Sequence, residues 1–289
     1  MIESSTRVYA VIGDPIEHSL SPALQNWLIR RFDLDAVYVA FRVIPDRLKA
    51  CVDGIRALGL AGINVTVPHK QAVIAHVDRV SPEVERLGAA NTLVPSAEGI
   101  EAHVTDPVGF LESLSGERER FRGAAVVLLG AGGAAQSVSY VLGRLGVAQL
   151  TLTDLESGRA ERLADLAQRS FGLPRVTAME AGSDSLSERL ARADVIINAT
   201  PVGMSPHTER SPIGESGLLH SKQLVYDLIY NPATTRLLAD AAARGAAVKN
   251  GLDMLIEQGV ASLRLWTGKP LRLGARERGQ LRSYLQERL

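Results

Sequence analysis

The sequence has little of several features that mark particular classes of protein. It contains one cysteine in 289 residues, which excludes an internal disulfide and a metal site built from several cysteines. Its 32 basic residues balance 32 acidic ones, so no positive excess predicts binding to nucleic acid or to an anionic membrane. The longest apolar runs, such as AAVVLL, are too short to cross a bilayer.

The histidines and the first residues exclude further classes. The six histidines lack the spacing and acidic neighbours typical of metal ligands, so we predict no metal. The start, MIESSTRVYAVIGDP, has no basic segment followed by a long apolar core, so we predict no signal peptide. Cys51 falls at helical spacing among apolar residues, which favours a core thiol. We therefore expect a cytoplasmic protein with a small-molecule substrate, without nucleic-acid or membrane partners, as a monomer or homodimer.

The order of predicted elements indicates an α/β protein made of two units. Helical patterns alternate with strand-like ones early in the chain, and the alternation resumes with AAVVLL and GGAAQSVSYVLGRLG. This alternation predicts mostly parallel sheets with helices on their faces. The charged stretch Ser115–Gly123 is typical of a linker or exposed turn. The last segment, from GLDMLIEQG onward, reads as helical and is compatible with packing on the first unit.

A glycine-rich loop is the strongest single motif. In VVLLGAGGAAQS the pattern G-x-G-x-x-G/A directly follows a buried strand and opens a helix, which is the context of a dinucleotide-binding loop. The first glycine permits the turn, the second lets a pyrophosphate approach, and the small third residue lets helix and strand pack closely. The predicted cofactor-binding residues of this loop are Gly130, Ala131, Gly132, Gly133, Ala134 and Ala135.

Asp154 ends a predicted strand about twenty residues after this loop, where the ribose-binding acid belongs. A carboxylate there accepts hydrogen bonds from both ribose hydroxyls of NAD and repels the extra phosphate of NADP. Leu155 and Glu156 offer no guanidinium, and Arg159 is the nearest one. A turn aspartate that caps the next helix is a compatible second interpretation. We predict NAD as the favoured cofactor, with NADP as the alternative.

Two serines precede a predicted helix in the stretch HSLSP. Pro22 suits the first helical position, where no N–H is needed, and Ser21 would then be the N-cap. Ser19 remains beside a helix N-terminus, whose amides and dipole attract anions. The stretch is therefore either a helix cap or a pocket for a carboxylate or phosphate.

Lys70 and Asp106 are ambiguous from the residues alone. Lys70 follows NVTVPH and is predicted in the first turn of a helix, where a cation opposes the dipole. Asp106, in HVTDPVG, lies where the first unit ends. On local pattern, a solvated lysine and a turn aspartate are the favoured interpretations.

Eight ordered motifs resemble those of the shikimate dehydrogenase family. They are GDPIEHSLSP, GINVTVPHK, GAANTLV, TDPVGF, LLGAGGAAQS, INATPVGM, DLIYNP and NGLDMLIEQG. The family reversibly reduces the 3-keto group of 3-dehydroshikimate with a nicotinamide cofactor, and some members oxidise quinate. The resemblance implies an α/β substrate domain over residues 1–106, a Rossmann domain over 107–251, and C-terminal helices over 252–289 that return to the substrate domain.

The resemblance also implies roles for individual residues. Lys70 and Asp106 would be catalytic, and Ser19 and Ser21 would bind the substrate carboxylate. Leu228 and Gly251 would contact the nicotinamide half of the cofactor. The remaining substrate-binding positions would be Thr66, Asn91, Tyr230 and Gln258.

The chain departs from the family pattern at three places. Val104 and Pro107 flank Asp106 where the family usually has asparagine and glycine, and proline removes an N–H and fixes φ. Asp253 replaces a usual glycine. NADP-using members typically have Asn-Arg-Thr where this chain begins with Asp154, which favours NAD.

These features predict NAD-preferring oxidation of shikimate to 3-dehydroshikimate. Quinate and aminoshikimate dehydrogenases are alternatives, and Ser21 in place of threonine favours shikimate over quinate. A dinucleotide-binding sensor without turnover is an alternative of another class. The presence of both Lys70 and Asp106 argues against the sensor.

Overall fold

The computed structural model describes residues 2–156, 158–214 and 216–289. The chain forms two compact units. Unit 1 runs from the N-terminus to Gly109 and resumes over Ile256–Arg288, and unit 2 comprises Phe110–Leu255. Among the described residues, no helix combines the length and apolar character needed to cross a membrane.

Unit 1 is built on a mixed six-stranded sheet. Its strands are β1 (Arg7–Gly13), β2 (Ala36–Arg42), β3 (Gly62–Val65), β4 (Arg79–Val80), β5 (Thr92–Ser96) and β6 (Gly99–His103). The strand order is β2-β1-β3-β5-β6-β4. Strand β1 runs parallel to β2 and β3, β5 runs antiparallel to β3 and β6, and β4 runs parallel to β6. The helices that follow these strands are α1 (Ser21–Arg31), α2 (Leu48–Leu58), α3 (Pro82–Leu87) and α4 (Asp106–Ser113).

Unit 2 is built on a fully parallel six-stranded sheet. Its strands are β7 (Ala125–Leu129), β8 (Gln149–Asp154), β9 (Val176–Glu180), β10 (Val195–Asn198), β11 (Leu224–Asp227) and β12 (Ala247–Lys249). Its helices are α5 (Gly133–Arg144), α6 (Arg159–Ser170), α7 (Asp184–Arg192) and α8 (Arg236–Ala243). The order β12-β11-β10-β7-β8-β9 is that of the Rossmann dinucleotide-binding fold. The predicted α/β class with a Rossmann domain is therefore confirmed.

The last two helices, α9 (Leu252–Thr267) and α10 (Ala275–Gln286), complete the fold. From Ile256 onward they belong to unit 1. The Trp266 ring stacks on Tyr9 with centroids 4.9 Å apart, and its Nε1–H donates to the Leu93 carbonyl at 2.9 Å. A Cβ at Gly62 would overlap the Trp266 indole, so the strand needs glycine there. The prediction that the C-terminal helices return to the first unit is confirmed.

Two local features differ from simple expectation. The stretch Ser115–Gly123, predicted as a linker or exposed turn, contains a 3-10 helix over Arg118–Phe121. The Phe121 side chain is fully buried and meets Phe110 edge to face at 6.4 Å, so an aromatic residue anchors this charged stretch to unit 2. Cys51 is half-buried on α2, and its burial raises the pKa of the thiol.

Candidate active site

In the HSLSP stretch neither serine is the N-cap of the helix that follows, because that position is Leu20. Helix α1 begins at Ser21, and the Leu20 carbonyl accepts its first helical hydrogen bond, from the Leu24 N–H. The prediction of Ser21 as N-cap is therefore wrong by one position, because Pro22 occupies the second helical residue instead of the first. The Ser19 hydroxyl accepts from the Ser21 N–H at 3.2 Å. Both serines are half-buried, so their hydroxyls flank the start of α1.

Lys70 lies in a turn rather than in the first turn of a helix. Strand β3 ends at Val65, the half-buried Thr66 follows it, and a 3-10 helix begins only at Ala72. The predicted helical position is wrong because the chain turns over residues 66–70 before any helix forms. The Lys70 carbonyl accepts from the Ala90 N–H at 2.8 Å, which holds the turn against the chain just before β5.

An ion pair joins Lys70 to Asp106. The Lys70 Nζ donates to Asp106 Oδ2 at 2.5 Å, with the lysine side chain 24% and the aspartate side chain 11% exposed. Asp106 is the first residue of α4, and Pro107 occupies the first turn, where its missing N–H costs no hydrogen bond. The unusual proline therefore fits the helix start that presents the carboxylate. A charge-assisted pair with this low exposure is stronger than a surface pair.

Asn91 orients the Asp106 carboxylate from the other side. Its Nδ2 donates to Asp106 Oδ1 at 2.8 Å and lies 3.1 Å from Thr105 Oγ1. Its Oδ1 accepts from the Thr105 N–H at 2.8 Å. With the Lys70 contact on Oδ2, each oxygen of the Asp106 carboxylate has a donor.

Gln258 joins the same group of residues through α9. The Thr105 hydroxyl lies 3.5 Å from Gln258 Oε1. Helix α1 is tied to the next residue of α9, since the buried Gln25 Nε2 donates to the Gly259 carbonyl at 3.0 Å. Unit 1 thus connects Lys70, Asp106, Asn91 and Gln258 by hydrogen bonds, and Gln25 ties α1 to the residue that follows Gln258.

In unit 2, the predicted cofactor loop surrounds the N-terminus of α5. Gly130 has a positive φ of 94°, and a Cβ there would lie about 3 Å from Ala199 and Thr200, which follow β10. Ala135 is fully buried, as close packing of helix and strand requires. A Cβ at Gly132 or Gly133 would meet no other atom, so the space before the first α5 amides is open. This open helix N-terminus between β7 and β10 fits the pyrophosphate of a dinucleotide.

Asp154 is fixed beside this loop. Its Oδ2 accepts from the Ala131 N–H at 2.8 Å and its Oδ1 from the Glu156 N–H at 2.9 Å. Helix α6 has Gly158 as its N-cap without a side-chain cap bond, so Asp154 does not cap that helix. Arg159 is paired with Glu156 at 2.6 Å. The carboxylate is therefore held at the glycine loop, and the nearest guanidinium in sequence is paired with an acid.

The residues predicted for the nicotinamide half of the cofactor meet after β11. A Cβ at Gly251 would overlap the Leu228 carbonyl, so only glycine allows this approach. The Leu228 N–H donates to the Asn198 carbonyl at 2.9 Å, which ties it to the end of β10. Tyr230 follows in the same turn and is half-buried, and burial raises the pKa of its phenol.

Asp227, which is not among the site residues predicted from the sequence, holds this turn together. Its side chain is fully buried and accepts from Asn198 Nδ2 at 3.0 Å, the Ile229 N–H at 3.0 Å and the Thr235 hydroxyl at 2.6 Å. Burial raises its pKa to about 6, although the hydrogen bonds from Thr235, Ile229 and Asn198 oppose the rise. The motif DLIYNP begins with this residue. The sequence signal that could have identified Asp227 is an aspartate at the end of a predicted buried strand.

The unusual Asp253 has a charged partner. The Lys249 Nζ, at the end of β12, lies 3.0 Å from Asp253 Oδ2 in the first turn of α9, and both side chains are largely buried. In the part of the chain that the structure describes, no group of three or more histidine, cysteine or acidic side chains is arranged to hold a metal ion.

Comparison with known proteins assigns these two units to a family. The substrate binding domain of shikimate dehydrogenase matches residues 11–93, and the shikimate 5'-dehydrogenase C-terminal domain matches residues 251–272. A shikimate dehydrogenase (NADP(+)) of Symbiobacterium thermophilum is 42% identical over 91% of this chain and 90% of its own. The chain belongs to the shikimate dehydrogenase family.

Solved structures of this family have the same fold as this chain. The shikimate 5-dehydrogenase of Listeria monocytogenes, in complex with shikimate and NAD, has a TM-score of 0.87 at 30% identity, covering 99% of this chain and 97% of its own. The quinate dehydrogenase of Corynebacterium glutamicum, in complex with NAD, has a TM-score of 0.87 at 31% identity, covering 98% and 99%. The predicted shikimate dehydrogenase family and its class, NAD(P)-dependent oxidoreductases acting on a CH–OH group, are confirmed. Curated relatives carry NADP(+) in their names, which gives the predicted NAD preference no support.

Proposed function

We propose that this protein reversibly oxidises shikimate to 3-dehydroshikimate and prefers NAD over NADP. The observation that carries the proposal is the partly buried Lys70–Asp106 pair in the unit that includes the substrate-domain match. Unit 1 would bind the substrate, and the glycine loop of unit 2 would bind the cofactor.

The serines that flank the start of α1 supply the proposed carboxylate contact. Ser19 and Ser21 present hydroxyl donors there, next to helix amides that favour an anion. Thr66, Asn91, Tyr230 and Gln258 stay as proposed substrate-binding positions. Among them, Asn91 has its amide hydrogens directed at Asp106 and Thr105, so we propose that it acts mainly by orienting the carboxylate.

The proton step follows from the ion pair. Oxidation of an alcohol carbon removes a hydride from carbon and a proton from oxygen, and the nicotinamide ring accepts the hydride when bound. Lys70 Nζ, in its neutral form, takes the hydroxyl proton, and in the reverse direction the ammonium stabilises the growing oxyanion and returns the proton. Asp106 holds Lys70 in position through its Oδ2.

The preference for NAD rests on Asp154 and its surroundings. Its carboxylate is held at the glycine loop by Ala131 and Glu156, where it can accept from ribose hydroxyls. An additional phosphate on the ribose would meet the charges of Asp154 and Glu156. Arg159, which would otherwise compensate, is paired with Glu156.

Initial rates of oxidation of shikimate and quinate, each with NAD and with NADP, test the proposal at the nicotinamide absorbance. We expect shikimate with NAD to give the highest kcat/KM. A higher value with NADP would overturn the cofactor preference alone, and a higher value for quinate would reassign the substrate within the family.

Variants of the pair separate catalysis from binding. We expect Asp106→Ala to abolish most turnover while NAD still binds with nearly the wild-type Kd. A nearly wild-type rate in this variant would remove Asp106 from the mechanism. Absence of turnover with every substrate and cofactor, combined with tight NAD binding, would favour the dinucleotide sensor.

A further inference from the structure

Three buried hydroxyls lie beside the proposed catalytic pair, on three separate segments of unit 1. They belong to Thr92 on β5, Thr105 before α4 and Ser262 on α9, and each residue is at most 2% exposed. Ser262 Oγ lies 2.9 Å from Thr92 Oγ1 and 3.2 Å from Thr105 Oγ1. Ser262 therefore connects the helix that carries Gln258 to Thr92, which follows Asn91, and to Thr105, which precedes Asp106.

The orientation of the Asn91 amide is fixed by two neighbouring groups, one that can only donate a hydrogen bond and one that can only accept one. The Thr105 N–H can only donate, so the Asn91 atom 2.8 Å from it must be the oxygen. The NH2 then faces Asp106, whose ionised carboxylate can only accept. The Thr92 and Thr105 hydroxyls lie 3.0 Å and 3.2 Å from the same Asn91 oxygen. The hydroxyl pair thus helps to set the amide plane that orients Asp106.

Asn64 fixes the other side of the hydroxyl cluster. Its Nδ2 lies 3.0 Å from the backbone carbonyl oxygen of Asn91. Because a carbonyl oxygen can only accept, the Asn64 atom at this position must be the NH2 nitrogen. Its Oδ1 therefore accepts from the fully buried Tyr38 hydroxyl at 2.8 Å. Its Nδ2 also lies 3.0 Å from Ser262 Oγ, and the single Ser262 proton can go to the Gln258 carbonyl at 3.1 Å or to one of the two threonine hydroxyls.

We propose that Ser262 is a positioning residue that orients Asp106 through Thr92, Thr105 and Asn91. Buried networks of this kind rigidify a site when every member is satisfied, and they lose more than one bond when a central member is removed. When Ser262 donates to one threonine hydroxyl, that threonine keeps its own proton for the Asn91 oxygen. Without the Ser262 hydroxyl this donor is lost, and the Asn91 amide is held less firmly. The proposal rests on the proposed roles of Lys70 and Asp106, but its first test does not require turnover.

The first test is the labelling of Lys70 by an amine reagent, followed by peptide mass spectrometry on the folded protein. A lysine whose ion pair is loosened reacts faster, and the exposed Lys49 on α2 serves as reference within the same molecule. We expect Ser262→Ala to raise the Lys70-to-Lys49 labelling ratio about threefold, the scale of a coupling below 1 kcal/mol. In an Asn91→Ala background, the same substitution should add almost nothing, because Ser262 acts through Asn91.

Thr267→Val is the matched control on the same helix. The Thr267 hydroxyl donates to the Leu263 carbonyl four residues before it, the same local contact that Ser262 can make with Gln258, but Thr267 is at the end of α9 and lies outside the cluster. The inference is overturned if the ratio is unchanged in Ser262→Ala, equally raised in Thr267→Val, or raised as much again in the Asn91→Ala background. If Ser262→Ala does not accumulate as folded protein, Ser262→Cys provides the same comparison with a longer, weaker acceptor.

Turnover gives a second readout that separates the two proposals. In an active enzyme, Ser262→Ala should lower kcat for shikimate about tenfold and leave KM for NAD within about twofold of wild type. Unchanged kcat would overturn the positioning role. If the wild-type protein oxidised neither shikimate nor quinate, the proposed function would fail, while the labelling ratios would still decide the role of Ser262.

Discussion

The buried Asp227 predicts a specific dependence of stability on pH. Its carboxyl is fully buried after β11, and burial raises its pKa to about 6 from the ordinary 3.8. Between these two values the folded protein keeps a proton that the unfolded chain has released, so the free energy of unfolding falls as pH rises through this window. From about pH 7 upward both states are ionised, and the cost of the buried charge stays constant at about 3 kcal/mol.

Asp227→Asn removes this dependence and retains much of the hydrogen bonding. The amide oxygen can still accept from Asn198 and Ile229, and the new NH2 faces the Thr235 hydroxyl, which can accept. The ionisation cost in the wild type is about 1 kcal/mol at pH 4.5 and about 3 kcal/mol at pH 7.5. The stability of the variant relative to the wild type should therefore rise by about 2 kcal/mol between these pH values.

Urea unfolding followed by far-UV circular dichroism at the two pH values measures this difference. Both tryptophans, Trp27 and Trp266, lie in unit 1, so tryptophan fluorescence would not report directly on unit 2. The exposed Asp165→Asn on α6 makes the same change in net charge without a buried carboxyl. A relative stability of Asp227→Asn that stays the same within about 0.5 kcal/mol at both pH values would refute the reasoning.

Three further substitutions probe the site and its cofactor loop. Lys70→Ala should abolish most turnover and leave the Kd for NAD nearly unchanged by titration, whereas nearly wild-type rates would remove Lys70 from the mechanism. Asp154→Ala should lower the ratio of kcat/KM for NAD to that for NADP about tenfold, as expected for one lost charged hydrogen bond; an unchanged ratio would reduce Asp154 to a support of the glycine loop. Gly251→Ala places a Cβ against the Leu228 carbonyl and should lower the unfolding free energy by about 2–3 kcal/mol. Gly279→Ala in the exposed part of α10, where a Cβ meets no other atom, should instead be neutral or stabilising, and equal losses in both variants would contradict the steric argument.

Features whose physical cause is local could be predicted from the sequence. The loop from Gly130 to Ala135 follows from turn geometry and close packing within one strand–turn–helix segment, and the structure places it at the N-terminus of α5. The pair Ser81–Pro82 is a local signal for a helix start, and Ser81 caps α3 by accepting from the Val84 N–H. Such signals need only a few neighbouring residues.

Features that depend on distant segments could not be predicted in this way. The chain turns over residues 66–70 before any helix begins after β3. The non-helical position of Lys70 could therefore not be predicted from its neighbours in the sequence. Asn64 and Ser262 meet across 198 positions of chain, and no local pattern pairs them. One signal was available, because Ser262 lies four residues after Gln258 and hence on the same face of α9.

The chain order of unit 1 has a consequence for biosynthesis. Unit 2 is built from the continuous segment Phe110–Leu255, whereas unit 1 needs residues from before and after that segment. On the ribosome, the Rossmann unit can therefore fold while Trp266 and its stacking partner Tyr9 are still apart. Gln258 and Ser262 emerge after the continuous segment of unit 2, so unit 1 is completed only after that segment has been made.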